Sequence, residues 1–279
     1  MSQAVSRIKS RIKSVSGAYK VTSAMKLVSN VKLKTWKYKM LANKEYNQEL
    51  SEVVENILSY AKKASSPFYK QNKANKKLYV VVSSSLGLCG SYNANIFKVA
   101  DAAISKEDDA IILGNKGLAH YIDGQFKKLE GYETYNGSEN TLLVDKIASY
   151  ILKEYEKETY SEVHLIYSEY KNSLLFLAKD YKLLPIEPVK DSNIGYGPLL
   201  EPSEKELIDS LVPIYIKNIV YSKLLESSVC EEASRSNAME NATNNAKEIL
   251  DDLKIEFNKA RQGAITQEII EIVSASKAL

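Results

Sequence analysis

The sequence predicts an α/β domain flanked by two long helices, one at each end of the chain. Residues 214–279 contain a single glycine, Gly263, and no proline. Because an average helix has only about 11–12 residues, this segment is too long to be one of many packed core helices. In the middle of the chain, short β-branched apolar runs alternate with helical patterns, as is typical of an α/β domain with a buried sheet.

Both ends of the chain carry the alternating spacing of four and three residues that is typical of a coiled coil. In the C-terminal segment the positions are Ala246, Leu250, Leu253, Phe257, Ala260 and Ala264. In the N-terminal segment they are Ile8, Ile12, Val15, Tyr19 and Thr22, continued one position over by Val21, Met25 and Val28. We therefore expect the two terminal helices to pair with one another.

The first helix is predicted from Met1 to about Ala61, interrupted only by Gly17, and Ser65-Ser66-Pro67 ends it. The α/β domain follows, and its elements are predicted in order. They are a strand at 78–82, a helix at 93–105, a strand at 110–114, a short helix at 116–121, a strand at 126–132, a helix at 141–158, and a hairpin of strands 162–170 and 174–184. The sheet is expected to be mostly parallel and Rossmann-like, and to end in that hairpin.

The returning helix is predicted to begin at a capping box formed by Ser203 and Glu206, and Pro213 is expected to kink it near its start. The chain is thus divided into an N-terminal coiled-coil helix (1–65), an α/β domain (76–200) and a C-terminal coiled-coil helix (203–279). For the terminal helices to pair, the middle domain must be an insertion whose two ends lie close together.

Composition excludes several classes of protein. No run approaches the roughly 18 apolar residues of a membrane span. Cys89 and Cys230 are too few and too far apart in sequence for a disulfide framework, so a reducing compartment is expected. The two histidines and two cysteines do not stand at metal-ligand spacing, so we expect no zinc site.

The net charge of +3 is unevenly distributed, because residues 1–44 contain many lysines and no aspartate or glutamate. Such a segment indicates either an acidic partner, which could be protein, nucleic acid or lipid, or a solvated helix face. Its basic, serine-rich start is also typical of an organelle transit peptide. Since the heptad pattern already begins at Ile8, we interpret the segment as part of the mature protein.

No catalytic constellation is found in the sequence. The turn Gly87-Leu88-Cys89-Gly90 lacks the known phosphate-binding patterns, so a tight turn between strand and helix is the favoured interpretation. Cys89 is interpreted as a small buried residue rather than a reactive thiol. His120 and His164 have no partners that would form a catalytic set. The segment 258–269 instead combines hydrogen-bonding side chains with apolar ones on a slim helix, which indicates a contact site.

Several motifs resemble those of the gamma subunit of F-type ATP synthases, and they follow one another in order along essentially the whole chain. The run 258–268, followed by Glu271-Ile272-Val273, resembles that family's C-terminal signature, and the runs 11–15 and 20–28 resemble its N-terminal helix. Other matching motifs are Gly87-Leu88-Cys89-Gly90 with Asn93 and Asn95, Pro213, Leu224-Leu225-Glu226-Ser227, Arg235 and Asn241-Ala242-Thr243.

The resemblance implies a rotor without cofactor or metal. Its antiparallel coiled coil would turn inside a ring of alternating alpha and beta subunits, with the α/β domain against the epsilon subunit and the membrane ring of c subunits. Ion flow would drive ATP synthesis, or ATP hydrolysis would drive ion pumping, while the catalytic residues belong to beta. The implied location is peripheral, on the cytoplasmic face of a bacterial plasma membrane.

The resemblance also implies which residues contact partners. Contacts with loops of a beta subunit are assigned to Met25, Lys26, Arg261, Gln262, Thr266 and Glu268. Weaker contacts with partners are assigned to Arg11, Arg235, Gly87 and Cys89.

The sequence departs from the family pattern at a few positions. Ser85 and Leu86 stand where family members often carry an acidic and then a basic residue, so an ionic contact by the following turn is not expected. Ser91 replaces a frequent glycine, and Gly263 replaces a frequent alanine. The main alternative function is nucleic-acid binding by the basic segment, but the chain has only four arginines, Arg7, Arg11, Arg235 and Arg261.

Overall fold

The computed structural model describes residues 3–60, 67–124, 126–132, 135, 141–186 and 204–277. The chain divides into two compact units, 1–30 with 235–279 and 31–234, and each contains part of both long helices. The elements are α1 (Gln3–Tyr60), a 3-10 helix (Pro67–Tyr69), β1 (Lys77–Val82), α2 (Tyr92–Ala103), β2 (Asp109–Leu113), α3 (Asn115–His120), β3 (Lys127–Lys128), α4 (Thr141–Glu156), β4 (Glu162–Tyr170), β5 (Phe176–Leu184) and α5 (Glu204–Lys277).

The sheet of the 31–234 unit has the strand order β3-β2-β1-β4-β5. β1 pairs in parallel with both of its neighbours, so that Val80 lies beside Ile111 on one side and Leu165 on the other. β4 and β5 form an antiparallel hairpin. A mostly parallel sheet that ends in a hairpin, between two long helices, confirms the predicted fold class.

The third strand is much shorter than predicted. Residues 126–132 were expected to be extended, but β3 covers only Lys127–Lys128. Gly131 follows with a φ of 90°, a left-handed conformation that an extended strand cannot contain. The apolar pattern of the segment was therefore a poor guide to strand length.

The sheet carries an apolar cluster on each face, because alternate residues of its strands point to opposite sides. The first cluster joins β1 and β4 to α4 and to the beginning of α5, and it includes Leu78, Val80, Ile147, Leu165, Ile208, Val212, Ile216, Val220 and Leu224. The second joins the opposite face to α2, and it includes Tyr79, Val81, Tyr92, Ile96, Ile166 and Cys230. α5 thus supplies residues to both clusters.

In the unit formed by 1–30 and 235–279, α1 and α5 are antiparallel. Residue numbers rise along α1 as those of its contacts fall along α5: Thr22 meets Thr243, Lys26 meets Glu240, and Asn30 meets Ser236. The predicted positions of α5 from Ala246 to Ala264 are all buried or half-buried. On α1, Ile8 is buried and Ile12, Val15, Tyr19 and Thr22 are half-buried, which confirms that part of the pattern.

The predicted continuation of the α1 pattern one position over is wrong at two residues. Val21 and Val28 are 58% and 56% exposed, while Ser29 is 2% exposed. The side of α1 that faces α5 is here formed by polar and small residues, so counting apolar positions misplaced it. Only Met25 of the three is half-buried as expected.

α5 runs through Pro213 as one helix from Glu204 to Lys277. Ser203, which was expected to cap it, lies outside the described residues, as do Ser65 and Ser66 at the predicted end of the first helix. The boundaries predicted at 65, 200 and 203 lie in the same undescribed segments, and the division into three parts stays a prediction.

Candidate functional site

The candidate contact residues near the end of α5 are all on its surface. Arg261, Gln262, Thr266 and Glu268 are exposed, and Ile265 and Ile269 beside them are about half exposed. The Thr266 hydroxyl donates to the backbone oxygen of Gln262 at 2.9 Å. This part of α5 therefore presents charged, amide and apolar groups together, which suits a protein contact better than a purely solvated face.

Small residues keep this part of α5 slim. Ala260 and Ala264 are half-buried and occupy the predicted seam positions. A Cβ added to Gly263 would meet no heavy atom within 4 Å, so this glycine is not required by packing inside the chain. Its backbone freedom instead lowers the helix propensity next to the candidate contact residues by roughly 1 kcal/mol relative to alanine.

Polar side chains join α1 and α5 in the unit that holds these residues. Lys26 Nζ donates to Glu240 Oε1 at 2.6 Å, and Ser236 Oγ donates to Asn30 Oδ1 at 2.6 Å. The hydroxyl oxygens of Thr22 and Thr243 are 2.9 Å apart. Since a shift of either helix would break these pairs, they fix the register of the two helices.

These polar pairs are not predicted by the sequence. The family resemblance assigns Lys26 to a contact with a beta subunit, whereas within the chain Lys26 forms an ion pair that leaves about a third of its side chain exposed. Polar residues in a long helix carry no sequence signal that separates a buried pair from a solvated one. Of the other N-terminal candidates, Met25 is half-buried and Arg11 is exposed.

The turn after β1 belongs to the 31–234 unit and is stabilised by hydrogen bonds to the Asn93 side chain. Asn93 Nδ2 donates to Ser84 Oγ at 2.7 Å and to Cys89 Sγ at 3.3 Å, and Ser84 N donates to Asn93 Oδ1 at 3.0 Å. Cys89 is buried, as predicted, and Gly90 has a φ of 54°. The family-like Asn93 thus has a structural role in closing the turn.

The exposed side chains of this turn are those of two leucines. Leu86 and Leu88 are both more than half exposed, and Leu88 has a φ of 62°. A left-handed conformation is unusual for a bulky residue and costs about 1–3 kcal/mol, so the surrounding turn must impose it. Leu88 and Gly90 both have a left-handed backbone conformation in this turn. The structure exposes these leucines rather than Cys89.

Arg235 and Cys89, both assigned to weaker partner contacts, are each only 3% exposed. Burial of this degree favours a role in packing within the chain over direct contact with another protein. Gly87 lies at the surface of its turn, and a Cβ there would approach only the Lys116 side chain. Arg235 and Cys89 therefore differ from Arg261 and Gln262, which are exposed.

The two histidines lie in different surroundings. His120 stacks on Phe97 with ring centroids 4.1 Å apart. His164 lies between two carboxylates, with Nδ1 2.7 Å from Asp180 Oδ1 and Nε2 3.2 Å from Glu162 Oε2. Within the described part of the chain, no group of three or more histidine, cysteine and acidic residues has the arrangement of a metal site.

No helix among the described residues is both long and apolar enough to cross a membrane.

Known proteins are similar to this chain over nearly its full length. The family model described as ATP synthase matches residues 4–279. The ATP synthase gamma chain of Mesoplasma florum is 34% identical over 280 residues, which cover 99% of this chain and 98% of that relative.

Solved structures give the same similarity. A chain in the central stalk and c-ring structure of the Tetrahymena thermophila mitochondrial ATP synthase has 25% identity and a TM-score of 0.57, covering 80% of this chain and 99% of that one. A chain in the OSCP/F1/c-ring structure of the Euglena gracilis mitochondrial ATP synthase has 16% identity and a TM-score of 0.67, covering 98% of this chain and 94% of that one. The second similarity concerns the fold alone.

Proposed function

This chain belongs to the ATP synthase gamma chain family, and we propose that it is the rotor of the central stalk in an F-type ATP synthase. It would couple ion flow across a membrane to conformational change at catalytic beta subunits, or ATP hydrolysis to ion pumping. The observation that carries the proposal is the similarity over residues 4–279, which includes both long helices and the sheet between them.

The antiparallel helices suit such a role because they are not equivalent. α1 presents lysines without any acid up to residue 44, whereas the exposed end of α5 presents Arg261, Gln262, Thr266 and Glu268. A rotor of this kind would offer each catalytic subunit a different surface at each angle. Differential contact would then favour a different conformation of each subunit, which is the physical content of allosteric coupling.

The proposed contacts follow from charge and exposure. The guanidinium of Arg261 is suited to a bidentate bond with a carboxylate, and Gln262 can add a donor and an acceptor beside it. The basic N-terminal segment is suited to an acidic loop, with Met25 supplying an apolar contact. Exposed charges of this kind orient a contact more than they strengthen it, which suits a surface that must also turn.

The proposal makes this chain non-catalytic by itself, with the reacting groups on the beta subunits. Its partners would be the alpha and beta subunits of the catalytic hexamer, the epsilon subunit and the c-subunit ring. It would lie peripherally on the cytoplasmic face of a bacterial plasma membrane, held there by the complex.

Affinity purification from host membranes tests the proposal. A tagged chain should bring down alpha, beta, epsilon and c subunits together, and the same host without the tag should yield none of them. Recovery of the tagged chain without alpha, beta and epsilon would contradict the rotor role. Recovery with nucleic acid in their place would support the alternative use of the basic segment.

A further inference from the structure

The sheet of the 31–234 unit has a crevice that its own chain fills. In open α/β sheets, ligands bind outside the carboxyl ends of the strands, where the strand order reverses direction. Here that point lies between β1 and β4, since β2 and β3 lie on one side of β1 and β4 lies on the other. α5 supplies Leu224 to the cluster on one face of the sheet and Cys230 to the cluster on the opposite face. It therefore passes by this end of the sheet.

β4 extends beyond β1 at this point and would otherwise lack hydrogen-bond partners. The last registered pair between the two strands is Val81 with Ile166, but β4 continues to Tyr170. After β1 the chain turns towards β2, and Ser83 N donates to Leu113 O at 2.9 Å. Among the described strands, none lies beside the backbone groups of β4 past Ile166 on the β1 side, although burial makes an unpaired backbone group costly.

Three side chains of α5 supply the missing partners. Ser168 N donates to Ser227 Oγ at 3.1 Å, and Tyr170 N donates to Glu226 Oε1 at 2.9 Å. Cys230 Sγ donates to Ser168 O at 3.3 Å. We call Glu226, Ser227 and Cys230 the β4 cap. The cap continues the hydrogen-bonding edge of β4 where β1 leaves it.

Burial supports this arrangement. Ser227 and Cys230 are fully buried, and Ser168 is nearly so. Burial also raises the pKa of the Cys230 thiol to about 12, so the thiol keeps its proton and remains a donor to the Ser168 carbonyl. The two bonds to Ser168 are buried, so water cannot easily replace them and their loss costs more than that of an exposed bond; the bond between Tyr170 and Glu226 is partly buried.

Further contacts attach α5 to both strand ends. Lys223 Nζ donates to Tyr167 OH of β4 at 3.0 Å and lies 4.5 Å from the centroid of that ring. Ser234 Oγ donates to the backbone oxygen of Cys89, in the turn after β1, at 2.6 Å. The helix is therefore bonded to β4 and to the segment that follows β1.

We infer that Glu226, Ser227 and Cys230 are positioning residues that clamp the sheet onto α5, and that α5 occupies the crevice in which other α/β sheets bind ligands. The clamp gives torque a rigid route between the helix and the sheet, a consequence that rests on the proposed rotor function. The hydrogen bonds themselves do not depend on that function. The two parts are therefore tested by separate measurements.

Hydrogen exchange of single amides tests the clamp in the purified complex. Glu226→Ala should speed exchange at Tyr170, and Ser227→Ala should speed it at Ser168, each by about tenfold or more, since each leaves an amide of β4 without its acceptor. Exchange at Ile166, which is paired with β1, should not change. Glu226→Gln keeps an acceptor oxygen and should preserve the slow exchange of Tyr170.

The matched control is Ser210→Ala, because the Ser210 hydroxyl donates to Leu207 O of its own helix and is exposed. The clamp is refuted if the amides of Tyr170 and Ser168 exchange no faster in the Glu226→Ala and Ser227→Ala variants than in this control.

Coupling is measured separately, as ion pumping per ATP hydrolysed in membrane vesicles. Glu226→Ala should lower this ratio and Glu226→Gln should restore it. If amide exchange is faster in Glu226→Ala but the number of ions pumped per ATP is unchanged, the clamp does not transmit torque and that part of the inference is wrong. A failure of the rotor role itself would be recognised differently, by a chain that purifies without alpha, beta and epsilon subunits.

Discussion

At the scale of single residues, the two helices are joined by polar pairs as well as by apolar ones. The ion pair of Lys26 with Glu240 and the hydrogen bond of Ser236 with Asn30 flank the buried positions Ser29 and Met239, and three of their four side chains are partly or well exposed. Polar pairs that flank the seam of a coiled coil help to set the orientation of its helices. A rotor subunit that must keep its two helices aligned gains from that specificity.

The exposed pair Arg261 and Gln262 gives the first prediction. Changing both to alanine should slow coupled ATP synthesis and ATP hydrolysis in the assembled complex several-fold, because the proposed charge-assisted contact with a beta subunit is lost. Nucleotide binding by isolated beta subunits should stay the same. Unfolding of the free chain should shift little, since both side chains are exposed.

A suitable control is Glu256→Ala, which alters an exposed residue of the same helix outside the proposed contact. Normal synthesis and hydrolysis by a fully assembled Arg261→Ala, Gln262→Ala complex would contradict the contact.

Lys26 gives the second prediction, because two roles compete for it. The ion pair with Glu240 is partly exposed, so a double-mutant cycle of Lys26→Ala and Glu240→Ala should give a coupling energy of only about 0–1 kcal/mol in unfolding of the free chain. If Lys26 also faces an acidic loop of a beta subunit, Lys26→Ala should reduce coupled activity more than Glu240→Ala does. Equal losses from the two substitutions would leave Lys26 with the structural role alone.

At the scale of elements, glycines distinguish helix positions that packing constrains from those that it leaves free. Gly17 in α1 and Gly263 in α5 have no heavy atom within 4 Å of an added Cβ. Gly114, at the start of α3, has a φ of 91° and would place a Cβ 2.3 Å from the Ser83 backbone oxygen. Glycine thus lowers the stability of α1 and α5 at two positions, whereas at Gly114 it permits the close turn that leads into α3.

Substitution of these glycines gives the third prediction. Gly17→Ala and Gly263→Ala should each raise the free energy of unfolding by about 0.5–1 kcal/mol, because alanine has the higher helix propensity. Gly114→Ala should lower it by about 2 kcal/mol or more through the clash and the strained φ. Urea denaturation of the full chain measures all three.

A gain at Gly263 accompanied by slower turnover in the complex would indicate that local softness near Arg261 aids rotation. If Gly263→Ala destabilises the free chain, the helix at this point has a packing constraint that the structure does not contain, and the prediction is wrong.

At the scale of the whole molecule, buried tyrosines link stability to alkaline pH. Burial raises the pKa of Tyr155 and of Tyr132 to about 12. Both are nearly inaccessible, and the Tyr155 hydroxyl donates to Lys70 O at 2.8 Å. In the unfolded chain a tyrosine titrates at about 10, so the folded state holds these protons to higher pH.

The fourth prediction follows from the sign of these shifts. A raised folded-state pKa gives stability that is complete below the unfolded value, so the contribution of these two tyrosines to the free energy of unfolding should be constant below about pH 10 and fall between about 10 and 12. Each such tyrosine contributes a slope of about 1.4 kcal/mol per pH unit. Urea denaturation at a series of pH values measures the slope.

Tyr155→Phe should reduce the slope, whereas Tyr38→Phe, at an exposed position of α1, should leave it unchanged. The comparison uses slopes because Tyr155→Phe also removes the hydrogen bond to Lys70. A slope that is the same in both variants would show that Tyr155 is not responsible.

Elements whose pattern is long or strongly periodic can be predicted from the sequence. The long helix from Ile214 onwards, the seam from Ala246 to Ala264 and the hairpin near 162–184 could be predicted, because hydrophobic periodicity repeats over many residues there. The exposure of Arg261, Gln262, Thr266 and Glu268 agrees with the contact role that the family resemblance implies, and the contact itself stays a prediction. These features depend on neighbours along the chain, which a sequence records directly.

How polar residues are used follows from the folded chain alone. Lys26 and Asn30 look like surface residues in the sequence, yet each meets a side chain more than 200 positions away, as does Thr22 of the predicted seam. Glu226, Ser227 and Cys230 likewise cap β4 because the topology ends β1 early and brings α5 past that edge. Such pairings depend on which backbone groups the fold leaves without partners, and local pattern carries no information about that.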